Sequence, residues 1–209
     1  MSGESRRVLP SLAWLAIAIG PSETSAYYAG LTARSAARRA RVARMSALGQ
    51  YSIGVDVGTG SARAGVVDVR TGALVGVHKQ SIKMWTPLAD FYEQSSADIW
   101  DAVCTSVRGA VEEAGITPAQ VCGIAFDATC SLVCIDESNA PVGIDPQSPD
   151  EDERNVIVWL DHRANKQAAQ INALGHARLR TVGGVISPEM EVPKMLWLKE
   201  QMPAAFARV

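Results

Sequence analysis

Tyr51-Ser-Ile-Gly-Val-Asp-Val-Gly-Thr-Gly-Ser-Ala-Arg-Ala-Gly-Val-Val67 consists of two apolar runs around a Gly/Thr/Ser break, with one acid and one arginine inside it. Ile53, Val55 and Val57 alternate, Gly58, Thr59 and Gly60 interrupt, and Ala64, Val66 and Val67 resume. That pattern predicts two antiparallel strands, over 52–57 and 63–69, joined by a tight turn. The turn chemistry suits phosphate oxygens. Gly58 and Gly60 let the backbone come close, the Thr59 and Ser61 hydroxyls and the turn amides donate to an anion, and Asp56 is placed to hold Mg²⁺ or its water. An ordinary Gly-rich hairpin with a solvated Asp is the alternative. Neither a Walker loop nor a dinucleotide fingerprint is present, since no helix follows and no Gly-Lys-Ser/Thr occurs.

Working outward, Asp68 and Thr71-Gly72 turn the chain into a third strand over 73–80, which makes a β-meander. Residues 81–94 carry Trp85, Pro87, Phe91, Tyr92 and Glu93 without periodicity, so a loop is expected whose aromatics cover the core or line a cleft. Ser95 or Ser96 caps a helix running to about Ala114, with Ile99, Val103, Val107 and Val111 on one face and Gly115 ending it. Val121–Phe126 and Leu132–Ile135 read as strands, and a strand returning after a helix implies a crossover and a partly parallel sheet. Between them lies Asp127-Ala-Thr-Cys-Ser131, polar groups at the carboxyl end of a buried strand, which read equally as a ligand site or as a self-satisfied Asx or Ser/Thr turn.

Residues 137–155 are acidic and rich in turn formers, which predicts an exposed, mobile loop. The core pattern resumes at Val156-Ile-Val-Trp159, and Asp161-His-Arg163 opens a helix with Ala164, Ala168, Ile171 and Leu174 on one face. Three polar side chains at a strand-to-helix junction suit a polyol, aided by the partial positive charge of the helix start. A capping or surface His162 is the plainer alternative. In 182–199, Gly183 and Gly184 allow close backbone approach, Ser187 and Glu189 are turn-borne polars, and Pro193 suits a first helical turn. Lys194 reaches a ligand or only solvent, and Met195, Leu196, Trp197 and Leu198 read as core.

The totals constrain the class. At 209 residues with 47% hydrophobic content the chain supports a real core. Residues 1–50 hold seven arginines against two glutamates, a net +5, which leaves −7 for the rest out of the total of −2. The body therefore has no basic footprint for nucleic acid. Cys104, Cys122, Cys130 and Cys134 lie within apolar runs and read as buried free thiols, with no companion ligands for zinc.

Residues 1–50 form a separate N-terminal extension. The apolar run Leu12–Ile19 is too short to span a bilayer. The extension reads as disordered, as a targeting segment or as a mis-assigned start with translation from Met45. The expected location is the cytoplasm, or the mitochondrion if 1–44 is a transit peptide.

Five segments in order, GVDVGTGSARAGVVD (54–68), YEQSSADIW (92–100), GIAFDATCSLVCID (123–136), WLDHRA (159–164) and VGGVISPEMEVPKMLWLKE (182–200), resemble the FGGY family of carbohydrate kinases, in its ribulokinase-like branch. The resemblance implies an α/β fold, one lobe of an actin-like ATPase or ribonuclease H-like architecture, with a mixed sheet, a β-meander and crossover helices. It implies ATP and Mg²⁺ as cofactor and metal, and a ketopentose such as D-ribulose as substrate, with no nucleic-acid or membrane partner and a homo-oligomeric full-length form left open. By the same resemblance, Asp56, Gly58, Thr59, Gly60, Ser61 and Arg63 face the ATP phosphates, with Asp56 at the metal. Asp127, Thr129, Asp161, His162, Arg163 and Lys194 border the sugar. The family's general base belongs to a second lobe beyond residue 209, so this chain is expected to be inactive alone. A non-catalytic nucleotide- or sugar-binding fragment is the competing reading.

Overall fold

A computed structural model of the chain describes residues 49–209. The readings made above for the N-terminal extension fall on residues outside that range, apart from its last two. The hairpin forms as β1 (Tyr51–Gly58) and β2 (Ser61–Asp68), with only Thr59 and Gly60 between them, and β3 (Leu74–Ser81) completes the meander. Each strand starts or ends one or two residues from the sequence estimate, because ladder pairing continues through Gly58 and Ser61, which pair with each other.

Helix α1 (Ser96–Glu113) follows a short β4 (Glu93–Gln94). Ser95 is its N-cap, accepting from the Asp98 amide at 3.3 Å, and Gly115 leaves it at φ 65°. The helix buries Ala102, Val103 and Ala110 against Ile53, Val55, Ala62, Ala64 and Val66 of the sheet. Burying a valine of this kind contributes about 1.5–3 kcal/mol. Gly76 on β3 lets the helix lie close, since a Cβ there would run into the Ala110 carbonyl and Ala114. A 3₁₀ turn (Pro118–Gln120) then leads into β5 (Val121–Ala128), which pairs parallel to β1 and gives the sheet order β3-β2-β1-β5. The crossover through α1 and the mixed sheet are as expected from the sequence. β5 is an edge strand. Ile124 and Phe126 stand in register with buried Ile53 and Val55 yet are 47% and 55% exposed.

A second, smaller sheet has the order β4-β7-β6, from β6 (Leu132–Val133) and β7 (Val156–Ile157). Two residues of ladder replace the four expected at 132–135. Three helices complete this part: α2 (Asn165–Ala173), α3 (Glu191–Gln201) and the single turn α4 (Pro203–Phe206), with a 3₁₀ segment at Ala177–Val182. Cys134, Val142, Ile144, Ile157, Ala164, Trp197 and Leu198 form its core.

Four expectations are corrected here. The acidic segment 137–155 is not an exposed loop in its middle: Val142, Ile144, Asp145 and Asn155 are buried, and its backbone bonds to Cys134 on either side. Three of its acids are paired, Asp145 and Glu151 with Arg154 and Asp152 with Arg208. Of the cysteines only Cys134 is buried, where burial pushes its thiol up to about 11; Cys130 is exposed and the other two are half-buried. Leu174 is 78% exposed and Met195 46%, because α2 ends at Ala173 and only one face of α3 meets the core. Gly183 and Gly184 adopt φ of 86° and 93° with open space around them, so they serve a left-handed turn and not a close approach. Among the described residues no helix is long and apolar enough to cross a membrane.

Candidate functional site

Because β1 and β5 are parallel and β2 is antiparallel to β1, the register lines up Arg63, Asp56 and Asp127 in one row across three strands, with Lys79 of β3 next to Arg63. All four are exposed. The row lies near the carboxyl ends of β1 and β5, where open α/β sheets take ligands. Arg63 and Asp56 pair at 3.2 Å, half-exposed at 48% and 57%. Such a pair is worth about 0–1 kcal/mol and exchanges partners readily. Gly58 keeps room for that arginine, since a Cβ there would sit 2.7 Å from the guanidinium. Gly60 has nothing within 4 Å of its Cβ position, so the turn opens onto free space.

Asp56 and Asp127 are register partners on neighbouring strands, about 4.8 Å apart at the backbone. Mg²⁺ takes one or two carboxylates and fills its octahedron with water and phosphate oxygens, and this donor set fits that habit. Among the described residues no group of three or more His, Cys, Asp or Glu converges on a metal position. The Asp127–Ser131 turn is held from outside: the Thr129 amide donates to Val57 O at 3.1 Å, and Ser131 Oγ accepts from the Trp159 amide at 3.1 Å. Asx turns form elsewhere, at Asp68 and Asp136, where the Thr71 and Arg70 amides hold the Asp68 carboxyl below the usual range and the Ser138 hydroxyl, with the Ala140 amide, does so for Asp136.

The turn itself is gripped from the small sheet. Gln94 Nε2 donates to Thr59 O at 2.7 Å, and Trp159 Nε1 donates to Thr59 Oγ1 at 3.0 Å. Ser61 is buried beside it.

The residues of Asp161-His162-Arg163 separate into two kinds. His162 is part-exposed and meets Glu189 at 3.1 Å. Asp161 and Arg163 are inside. Arg163 makes a bidentate contact to Asp161, donates to Ile144 O at 3.1 Å and to Glu93 Oε1 at 2.9 Å, and packs against the edge-to-face rings of Phe91 and Trp197 at 4.1 and 4.9 Å. Asp161 also accepts from the Tyr92 amide at 2.7 Å. Burial pushes the Glu93 carboxyl up, against the pull of Arg163 and Arg154. Lys194 is fully buried, and its three donors go to Val158 O, Trp159 O and Glu189 O at 2.9, 3.0 and 2.9 Å. Burial lowers its pKa, with Asp161 opposing. With every N–H of that ammonium engaged by backbone, a solvated Lys194 does not match the geometry. Likewise the Asp161 and Arg163 side chains are engaged by internal partners.

Sequence reasoning missed Glu93, Gln94, Arg154 and Trp159. A Glu-Gln pair just ahead of a helix cap, and a single arginine in an acidic run, were the signals available.

Residues 51–209 match the FGGY family of carbohydrate kinases, N-terminal domain. The chain is 48% identical over 153 residues to an FGGY carbohydrate kinase domain-containing protein of Homo sapiens, covering 73% of this chain and 27% of that protein. It is 46% identical over 156 residues to a D-ribulokinase of Saccharomyces cerevisiae, covering 74% and 22%. Its fold is similar to that of the xylulose kinase of Rhodospirillum rubrum, with a TM-score of 0.65 at 22% identity over 76% of this chain and 31% of that one. That likeness carries the fold alone: a mixed-sheet α/β lobe of the actin-like, ribonuclease H-like kind. The chain thus spans between 22% and 27% of the length of the two curated relatives.

Proposed function

We propose, from the premise that the chain belongs to the FGGY family of carbohydrate kinases, that it forms the phosphate-facing side of a kinase cleft for a ketopentose such as D-ribulose. The observation that carries this is the exposed row Arg63–Asp56–Asp127 beside the open Thr59-Gly60 turn. Asp56 takes the Mg²⁺ of Mg-ATP, with Asp127 beside it. Thr59, Ser61, the amides of Gly58 and Gly60, and Arg63 take the phosphate oxygens. Arg63 would pass from Asp56 to a phosphate oxygen were that carboxylate to hold the metal. Asp127, Thr129 and His162 face the sugar, while Asp161, Arg163 and Lys194 hold those segments in place.

When bound, the metal neutralises charge on the transferring phosphoryl group. A sugar primary hydroxyl forms the new O–P bond, the bond between the γ-phosphorus and the bridging oxygen breaks to leave ADP, and the hydroxyl proton passes to a general base outside the matched segment. Such transfer depends on positioning and charge neutralisation from both sides of a cleft. The chain alone therefore binds Mg-ATP weakly and transfers nothing. The names of the D-ribulokinase and ribulokinase relatives support the ketopentose.

Purified chain incubated with Mg-ATP and a panel of ketopentoses and polyols tests this. The expected result is no detectable ADP, together with calorimetric binding of Mg-ATP that Asp56→Asn abolishes. Sustained turnover by the chain alone would overturn the inactivity, and binding unaffected by Asp56→Asn would overturn the site.

A further inference from the structure

We infer that Trp159 is a positioning residue for the phosphate turn, fixing the Thr59 hydroxyl so that its hydrogen faces the bound anion, with Gln94 fixing the backbone of the same residue. The inference rests on reading the hairpin as a phosphate site.

An indole N–H only donates, so in the 3.0 Å contact with Trp159 Nε1 the Thr59 oxygen must be the acceptor. A hydroxyl has one hydrogen and two lone pairs, and with one lone pair committed to the indole the hydrogen is directed elsewhere. Thr59 belongs to the two-residue turn whose other member, Gly60, is exposed and opens onto empty space. The Thr59 carbonyl is tied at 2.7 Å to Gln94 Nε2, from a side chain that is itself buried. With the Gly60 carbonyl accepting from the Ile82 amide at 3.1 Å, the turn is held at two backbone atoms and one side-chain atom before any ligand arrives. A donor fixed in advance costs no reorganisation on binding, which is where its advantage lies.

Trp159 is anchored in turn on both sides of its own backbone. Its amide donates to Ser131 Oγ at 3.1 Å, and its carbonyl accepts from Lys194 Nζ at 3.0 Å. Ser131 ends the Asp127–Ser131 turn, and Lys194 also holds the carbonyl of Glu189, the partner of His162. One residue therefore connects the phosphate turn to both segments assigned to the sugar.

The test uses the 209-residue chain, ¹⁵N-labelled, titrated with Mg-ATP and separately with inorganic pyrophosphate. The Trp159→Phe spectrum identifies which of the five indole resonances belongs to Trp159. The expected result is that the amides of residues 58–61 and the Trp159 indole N–H shift together with one Kd. Trp159→Phe should raise that Kd about tenfold, and Thr59→Val should do the same. Thr59→Ser, which keeps the hydroxyl, should stay within threefold of the native chain. In Trp159→Phe/Thr59→Val the two losses should not add.

If the turn amides shift but the indole does not, and Trp159→Phe binds as tightly as the native chain, the inference is overturned while the phosphate site stands. If no resonance responds, the phosphate reading fails and takes the inference with it. Should Trp159→Phe not fold, Thr59→Val against Thr59→Ser still decides, because equal binding by those two would show that no oriented hydroxyl is used.

Discussion

Arg63 with Asp56, and Arg163 with Asp161, are the same two residue types in two settings. The first pair lies in a cross-strand row, half in water, on the exposed face of the large sheet. The second has no exposed side-chain surface, and its arginine is shared with Glu93 and packed against two aromatic rings. In water an ion pair gains little and gives way easily, which is what a group must do if it is to pass from a carboxylate to a phosphate. Out of water the two charges have already lost their hydration, so each holds the other in place and neither is free for a ligand. Burial, and not residue type, separates the exchangeable pair from the fixed one here.

The sharpest way to break that contrast is Arg163→Met. It leaves Asp161 and Glu93 charged and buried, and the expected cost is about 3–5 kcal/mol in urea denaturation. A cost below about 1 kcal/mol would place Arg163 with the exposed kind. The deficit should also depend on pH. Burial already raises Glu93, and losing Arg163 removes the largest opposing pull, so the folded variant holds this proton more tightly than the unfolded chain does. Stability should therefore recover as pH falls through the raised folded value toward the ordinary 4.5, and worsen as pH rises.

Lys194→Met comes next. It removes a buried charge but strips three carbonyls of their donor, and the expected net loss is about 1–3 kcal/mol by the same denaturation. Asp56→Asn should lie at the other extreme for stability, within about 1 kcal/mol of the native chain, while abolishing Mg-ATP binding in a calorimeter. Destabilisation by several kcal/mol there would dissolve the contrast.

The smallest effect belongs to Arg208→Ala. Arg208 holds the Asp152 carboxyl below its usual range, so the stability it lends is present above the unfolded value of 3.8 and is lost as pH falls through the lower folded value. Both groups are well exposed, so only a slight rise in the acid midpoint of unfolding is expected, read by circular dichroism.

Strand alternation, the Ser95 cap and the Gly115 stop were legible because each depends on neighbours a few residues away. So was the phosphate turn as a candidate, from Asp56 to Arg63. The acidic segment misled for the opposite reason. Asp152 resembles a solvated charge in any local window, and only Arg208, 56 positions away and brought in by the fold, pairs with it. Lys194 misled in the same way, since backbone carbonyls are invisible as partners in a list of side chains.

The sequence by itself determined the hairpin, the crossover helix, the order of the motifs and the residue types available for phosphate, metal and sugar. The tertiary structure decided which of those residues stay exposed and which are buried and paired. Glu93 and Arg163 are 70 positions apart, and Thr59 and Trp159 are 100 apart. Whether a charge is solvated or paired depends on such non-local contacts, and periodicity carries no information about them.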